Sequence, residues 1–259
     1  MNHTSALPVL LLLLALPASP ARGLDLDRYA DLLQRHTRAV SDPAGTRVDY
    51  DALRGSSEWR VLVAGLDADD PDALASRPER LAFWINAYNV LAIDVVVQGR
   101  PEESIRDLGS FLRPVWKRKA GRVGGRDVTL DEIEHAILRP MGEPRIHVAI
   151  VCASTSCPSL RREPFRAERL DAQLDEQARD FLANPEKGLR IDREHEDLWV
   201  SRIFDWFAND FGDANARMAF FVRHAPEADR AWLEAHADEM DVRYLDYDWR
   251  LNALAPDAR

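Results

Sequence analysis

Two hydrophobic patterns alternate along the chain, one helical and one unbroken. At 24–40 the positions Leu26, Tyr29, Leu32, Leu33, His36 and Val40 recur near helical spacing, which predicts an amphipathic helix. Asp42-Pro43-Ala44-Gly45 then signals a turn, and 47–50 reads as a short extended piece. Further helix is expected around 59–66, followed by an acidic connection without regular structure at 67–71. The strongest helical signal covers 77–98. Ser76-Arg77-Pro78-Glu79 combines a capping box with an early proline, and Gly99 and Pro101 close the far end.

The unbroken pattern lies at 146–153. It has no polar/apolar alternation and empties into a Ser/Thr/Pro loop carrying the chain's two cysteines, Cys152 and Cys157. Such a run predicts a central strand covered on both faces. Upstream, Gly124-Gly125 marks a tight hairpin within 122–128, and Thr129-Leu130-Asp131-Glu132 opens a short helix that Pro140 ends. Downstream, Leu170, Leu174, Ala178, Phe181 and Leu182 form a helical stripe, and 198–200 is a short strand. Ser201 caps an aromatic-rich helix reaching Phe211, and helices at 214–224 and 227–239 precede an extended segment at 242–249. The expected class is α+β: a mainly helical single domain over 24–259, around a small mixed β-sheet with a buried central strand near 146–153.

Composition changes this picture at the ends of the chain and at its surface. The apolar run 7–16, followed by Ala18, Ser19, Pro20 and Ala21, predicts an export signal over 1–23 and a periplasmic or secreted protein. The run falls short of the roughly 20 apolar residues of a membrane span, so no integral membrane segment is expected once the signal is removed. A net charge of -10 argues against nucleic acid or an anionic membrane as the main partner. Arg113, Lys117, Arg118, Lys119, Arg122 and Arg126 surround Trp116, and they read as the solvated edge of the hairpin. The expected partner is a small-molecule or peptide ligand, with no cofactor.

Candidate chemistry gathers at polar residues in apolar settings. Asn86 and Asn89 lie one turn apart on an otherwise apolar helix, where an unpaired amide costs about 1–3 kcal/mol. They must clamp a neighbouring backbone or meet a ligand. At 100° per residue Leu130, Ile133, Ile137 and Leu138 share a face, with Glu134 inside it and His135 at its edge. A carboxylate there must be paired, hydrogen-bonded or protonated, and a raised pKa is one way a site gains an acid or base. Strand parity would point His147 away from Cys152. That weakens a metal reading of the H-x4-C-x4-C pattern, which also lacks the short C-x2-C pair of common zinc sites.

The runs Phe83-Trp84-Ile85-Asn86-Ala87-Tyr88-Asn89, Ile133-Glu134-His135, 147–160, Ile203-Phe204-Asp205-Trp206-Phe207 and Tyr247-Asp248-Trp249-Arg250-Leu251-Asn252 together resemble the domain-of-unknown-function family 547. The resemblance begins near Val48-Asp49-Tyr50 and implies a bacterial, often exported, protein of unassigned activity. It also implies that relatives with other architectures often keep the residue matching Cys152 while carrying serine at Cys157. Cys152 is then the better candidate for shared function, and a disulfide between the two is not a common feature of the family.

Three readings follow. In the first, Cys152 is the nucleophile of a thiol-dependent hydrolase or acyltransferase, with His135 as base and Glu134, Asn86 or Asn89 orienting the imidazole or stabilising an oxyanion. In the second, Cys152 and Cys157 form a structural or exchangeable disulfide. In the third, the chain is a ligand- or partner-binding module whose pocket uses Asn89, His147, Cys157 and Asp248, together with Asn86, Glu134, His135, Tyr247 and Trp249.

Overall fold

A computed structural model describes residues 23–255. The apolar run at 7–16, on which the export reading rests, lies outside the described residues.

Helices α1 (Leu26–His36), α2 (Tyr50–Gly55) and α3 (Ser57–Gly65) surround the long helix α4 (Arg77–Gly99). The ends of α4 are set locally. Ser76 and Glu79 form the reciprocal capping box, and the left-handed Arg100 stops the helix. From Leu81 to Ile93 every residue is buried, so α4 is a core axis rather than a surface helix. By length and composition it could cross a bilayer, yet 83% of its most apolar window is buried inside the fold.

The sheets are small. Strands β1 (Thr37–Ala39) and β2 (Thr46–Val48) form an antiparallel pair, as do β3 (Lys119–Val123) and β4 (Arg126–Thr129). The β3–β4 turn places both Gly124 and Gly125 at positive φ, which explains the Gly-Gly signal. After β4, helix α5 (Leu130–Glu132) widens into a π-helical turn, Ile133–Leu138. Helices α6 (Ile146–Ala149) and α7 (Leu170–Leu182) follow. The three-stranded mixed sheet has β6 (Asp197–Val200) in the middle, antiparallel to β5 (Leu189–Asp192) and parallel to β7 (Asp241–Tyr244). Helices α8 (Ile203–Trp206), α9 (Ala214–His224) and α10 (Glu227–His236) complete the second half. The α+β class with a small mixed sheet therefore holds.

The central strand expected near 146–153 does not form. Residues 146–149 make the single helical turn α6, and the chain then runs extended from Ile150 to Cys152 without a strand partner. The reason is its position between two apolar cores. Ile146, Ala149, Ile150 and Val151 pack into the core around α4, while Val148 packs into the core formed by α7, the mixed sheet and the aromatic helices. A segment wedged between two cores is apolar all round in any conformation, so lack of alternation does not identify a strand.

Candidate active site around Cys152

Asn89 fixes the approach to Cys152. Its amide donates to the carbonyl of Ala149 at 3.0 Å, and its carbonyl oxygen accepts from Val151 N–H at 2.9 Å. This bidentate clamp holds the extended residues that a strand ladder would otherwise have held. Asn86 does the same one turn earlier for a different segment, bonding the carbonyl and N–H of Phe165 at 2.7 and 2.9 Å. Both asparagines are thus backbone clamps. Asn86 does not enter the site, which corrects its expected catalytic role, and Asn89 acts through the chain it holds rather than on a ligand.

Beyond Cys152 the backbone turns sharply at Ala153, whose φ of 62° lies in the left-handed region. That conformation costs about 1–3 kcal/mol in a non-glycine residue and persists only where the surroundings enforce it. The C-terminal segment supplies the restraint. Asn252 N–H donates to Ala153 O at 3.0 Å, Thr155 N–H to Arg250 O at 2.8 Å, and Ser156 N–H to Asp248 O at 3.1 Å. From the other side the buried Lys187 ammonium donates to the carbonyls of Ala44 and Cys157 at 2.9 and 2.8 Å. Burial lowers the Lys187 pKa to about 8. Asp248 belongs to this scaffold: its N–H donates to Ser156 Oγ at 2.8 Å and its carboxylate pairs with Arg250 at 2.6 Å. Its expected place on a ligand is corrected accordingly.

The two cysteines are free thiols. Cys152 N–H donates to Cys157 Sγ at 2.8 Å, and the Cys152 sulfur lies 3.0 Å from Ser154 Oγ and 3.3 Å from the Tyr247 hydroxyl. Hydrogen bonds from the Cys157 thiol and the two hydroxyls pull the Cys152 pKa down from its ordinary value, against the opposing effect of burial. Burial and the adjacent Cys152 sulfur push Cys157 well up. The pair is polarised: one thiol is readied as a thiolate and the other is kept as a proton donor.

Cys152 opens onto a cavity of about 230 Å3 that is also lined by Glu134, His135, His147, Cys157, Tyr88, Trp206 and Trp249. Glu134 reaches it from the π-helical turn, a feature that recurs at functional sites because it re-aims side chains on a helix. Burial, then the charge on Cys152, raises the Glu134 pKa to about 7. This accounts for the misplaced carboxylate in the sequence: it is buried without a cationic clamp of its own.

His147 is the histidine deepest in this cavity. Its side chain is 1% exposed and stacks on Phe207 at 4.0 Å between centroids. Nε2 lies 2.7 Å from Asp210 Oδ2, and Nδ1 has no hydrogen-bond partner among the described residues, with Glu134 Oε1 at 3.7 Å. The carboxylate of Asp210 fixes the tautomer with hydrogen on Nε2, leaving the Nδ1 lone pair facing Glu134. Burial lowers the His147 pKa to about 4, although Asp210 pulls it the other way. Asp210 is itself held by Arg139 in a bidentate pair at 2.6 and 2.9 Å, which with His147 keeps its pKa low.

His135, expected as the base, sits at the rim. Its side chain is 41% exposed, Nδ1 accepts from Arg139 at 2.9 Å, and Nε2 lies 3.8 Å from Asp131. The parity argument that set His147 apart from Cys152 fails because His147 is on a helical turn. Asp210 and Ser154 were not singled out as site groups from sequence, and Tyr247 was read as a pocket wall rather than as a hydrogen-bond partner of the thiol. For Asp210 the only local signal was a carboxylate following the aromatic run 203–207. Among the described residues no group of three or more His, Cys, Asp or Glu side chains is placed to hold a metal ion.

Residues 71–182 match the family described as "Protein of unknown function, DUF547". The matched stretch contains Glu134, His147 and Cys152 and ends before Asp210 and Tyr247. No curated protein and no solved structure matches the chain.

Proposed function

Since residues 71–182 belong to the DUF547 family, whose description states no activity, we propose from the site itself that the chain is a thiol-dependent acyl-transfer enzyme, a hydrolase or acyltransferase. The observation that carries this reading is that a hydrogen-bonded thiol of lowered pKa, Cys152, opens onto the same cavity as a carboxyl of raised pKa, Glu134, backed by the His147–Asp210 pair.

Each group has one task. The Cys152 thiolate attacks a carbonyl carbon, the carbon–leaving-group bond breaks, and a thioester forms. Glu134, protonated near neutrality, gives its proton to the departing group and so becomes the carboxylate base that activates water or an amine for the second half. Return of that proton to Glu134 and release of Cys152 as thiolate close the cycle. His147, neutral throughout, keeps its Nδ1 3.7 Å from Glu134 Oε1 and places no positive charge there that would strip the Glu134 proton, and Asp210 keeps the imidazole in that tautomer. Activation of the thiol requires no histidine, because three hydrogen bonds already favour the thiolate.

The disulfide reading has less support, since both thiols are free. The binding-module reading would leave the polarised thiol pair without a purpose.

Mixing the protein with p-nitrophenyl acetate and locating the acetyl group by mass spectrometry tests the proposal. An acetyl adduct at Cys152, transient in the parent and accumulating in Glu134→Gln, is the expected result. Fast iodoacetamide alkylation of Cys152 without any acyl adduct would overturn the enzyme reading. A thiol pKa near the ordinary ~8.5 would overturn the activation on which it depends.

A further inference from the structure

A second feature lies beside the site. The loop 109–114 is built as a pinched turn. Ser110 N–H donates to Arg113 O at 3.0 Å, and Arg113 N–H returns to Ser110 O at 3.2 Å and to its Oγ at 3.1 Å. At the neck, Gly109 packs so closely on the next strand of the loop that a Cβ there would lie 2.5 Å from Val115 N. The apex of this closed turn carries Phe111 and Leu112, which are 99% and 91% exposed. Two adjacent large apolar side chains held out in water by a tight turn are not the ordinary scatter of surface hydrophobics.

The collar of the loop is basic. Residues 104–119 contain Arg106, Arg113, Lys117, Arg118 and Lys119 against one acid, Asp107, whose carboxylate is taken up by the N–H groups of Glu103 and Ser104. Lys119 pairs with Asp127 at 2.8 Å, and Arg122 on the same hairpin pairs with Asp67 at 3.0 Å. Among the described residues, Arg106, Arg113, Lys117 and Arg118 make no ion pair, although Arg118 donates to the carbonyl of Leu108. The solvated hairpin edge expected from sequence thus divides in two: on the hairpin Lys119 and Arg122 are ion-paired and Arg126 is not, while around the apolar apex no cation is ion-paired among the described residues.

We propose that this loop docks on an anionic lipid bilayer surface, with Phe111 and Leu112 entering the headgroup–acyl boundary and the four unpaired cations lying against acidic headgroups. The shape favours a bilayer over an acidic peptide. A peptide would satisfy the cations but leave a convex apex projecting past it, whereas lipid surrounds both apolar side chains. The loop also adjoins the Cys152 cavity. Phe111, Pro114 and Arg106 line a groove with Trp116 and Trp249, and those two tryptophans are walls of the cavity as well. The Arg106 guanidinium lies 4.9 Å from the Trp249 ring centroid, between collar and groove. Because the net charge of -10 repels an anionic surface, attachment must be carried by this patch.

Co-sedimentation of the full chain with phosphatidylcholine vesicles, with and without roughly one-third phosphatidylglycerol, tests the proposal. The parent should bind the acidic vesicles and not the neutral ones, and added salt should weaken binding. The pair Phe111→Ser with Leu112→Ser should lower the partition coefficient at least about tenfold. Removing the Arg113 charge in Arg113→Gln should lower it about fivefold. All three positions are surface sites, and an unchanged thermal midpoint verifies folding. Comparing variants in the same chain cancels any contribution from the apolar run 7–16. Equal binding of the parent and the double variant would overturn the proposal. So would a parent that ignores acidic vesicles, including one that instead retains a polyglutamate probe through the same arginines.

Discussion

The hydroxyl of Tyr247 lies 3.3 Å from the sulfur of Cys152, and 95 residues of chain separate the two. The contact exists because the C-terminal segment pairs with 153–156, so the last stretch of the fold both shapes the cysteine loop and helps tune its thiol. The Tyr247 oxygen also lies 3.2 Å from Ser154 Oγ, and the Tyr247 ring is fixed against Trp249 at 4.6 Å and Trp206 at 4.9 Å.

Tyr247→Phe keeps the ring and deletes the hydrogen bond. A bond to an ionised acceptor contributes about 1.5–3 kcal/mol, so the Cys152 pKa should rise by about one to two units. Below that pKa, iodoacetamide alkylation of Cys152 should slow by at least about tenfold, converging with the parent rate in alkali. An unshifted pH profile would remove Tyr247 from thiolate stabilisation.

Glu134 should make stability depend on pH. Its folded pKa, raised to about 7, lies above the unfolded value near 4.3, so the folded state holds the proton more tightly. The resulting stabilisation is fully present below the unfolded pKa and is lost as pH rises through about 7. Its size is on the order of 3 kcal/mol. Glu134→Gln has no such proton, so its urea stability relative to the parent should improve between about pH 5 and about pH 8. A stability difference independent of pH would show that Glu134 titrates normally.

The two asparagines should separate fold from site. Asn89→Ala and Asn86→Ala each leave a buried N–H and a buried carbonyl unpaired, at a cost of about 2–5 kcal/mol in urea unfolding. Asn89→Ala should in addition alter the alkylation rate of Cys152, because it frees 149–151. Asn86→Ala, which frees Phe165, should leave that rate within about twofold. Equal effects on Cys152 would show that the clamps do not act separately.

The histidines should rank in the order opposite to the one read from sequence. With a generic acyl ester, His147→Ala should lower kcat by about tenfold, as expected for a group that positions the acid–base rather than one that transfers the proton, while His135→Ala, at the exposed rim, changes it by no more than about threefold. Asp210→Asn should fall between them, with the proton placement on His147 disturbed but the ring retained. Full activity in His147→Ala would show that Glu134 works unaided.

Features that depend on near neighbours in the chain were legible in the sequence. The bounds of α4 follow from Ser76, Glu79 and an apolar run, the β3–β4 turn from Gly124-Gly125, and the oddity of Glu134 from one helical period. The need of Asn86 and Asn89 for partners was equally plain, since an amide on an apolar helix must bond to something. The tertiary structure decided which partners they found, and it decided the conformation of 146–153. An unbroken apolar run satisfies a central strand and a helical turn between two cores equally well, because burial on all sides erases the periodicity that distinguishes them. With the strand went the parity that had separated His147 from Cys152. The thiol's other neighbours, Tyr247 and Lys187, and the Asp210 behind His147, arrive from distant segments whose local sequence carries no mark of the meeting. Such contacts are fixed by packing and charge across the whole fold, which short-range pattern does not encode.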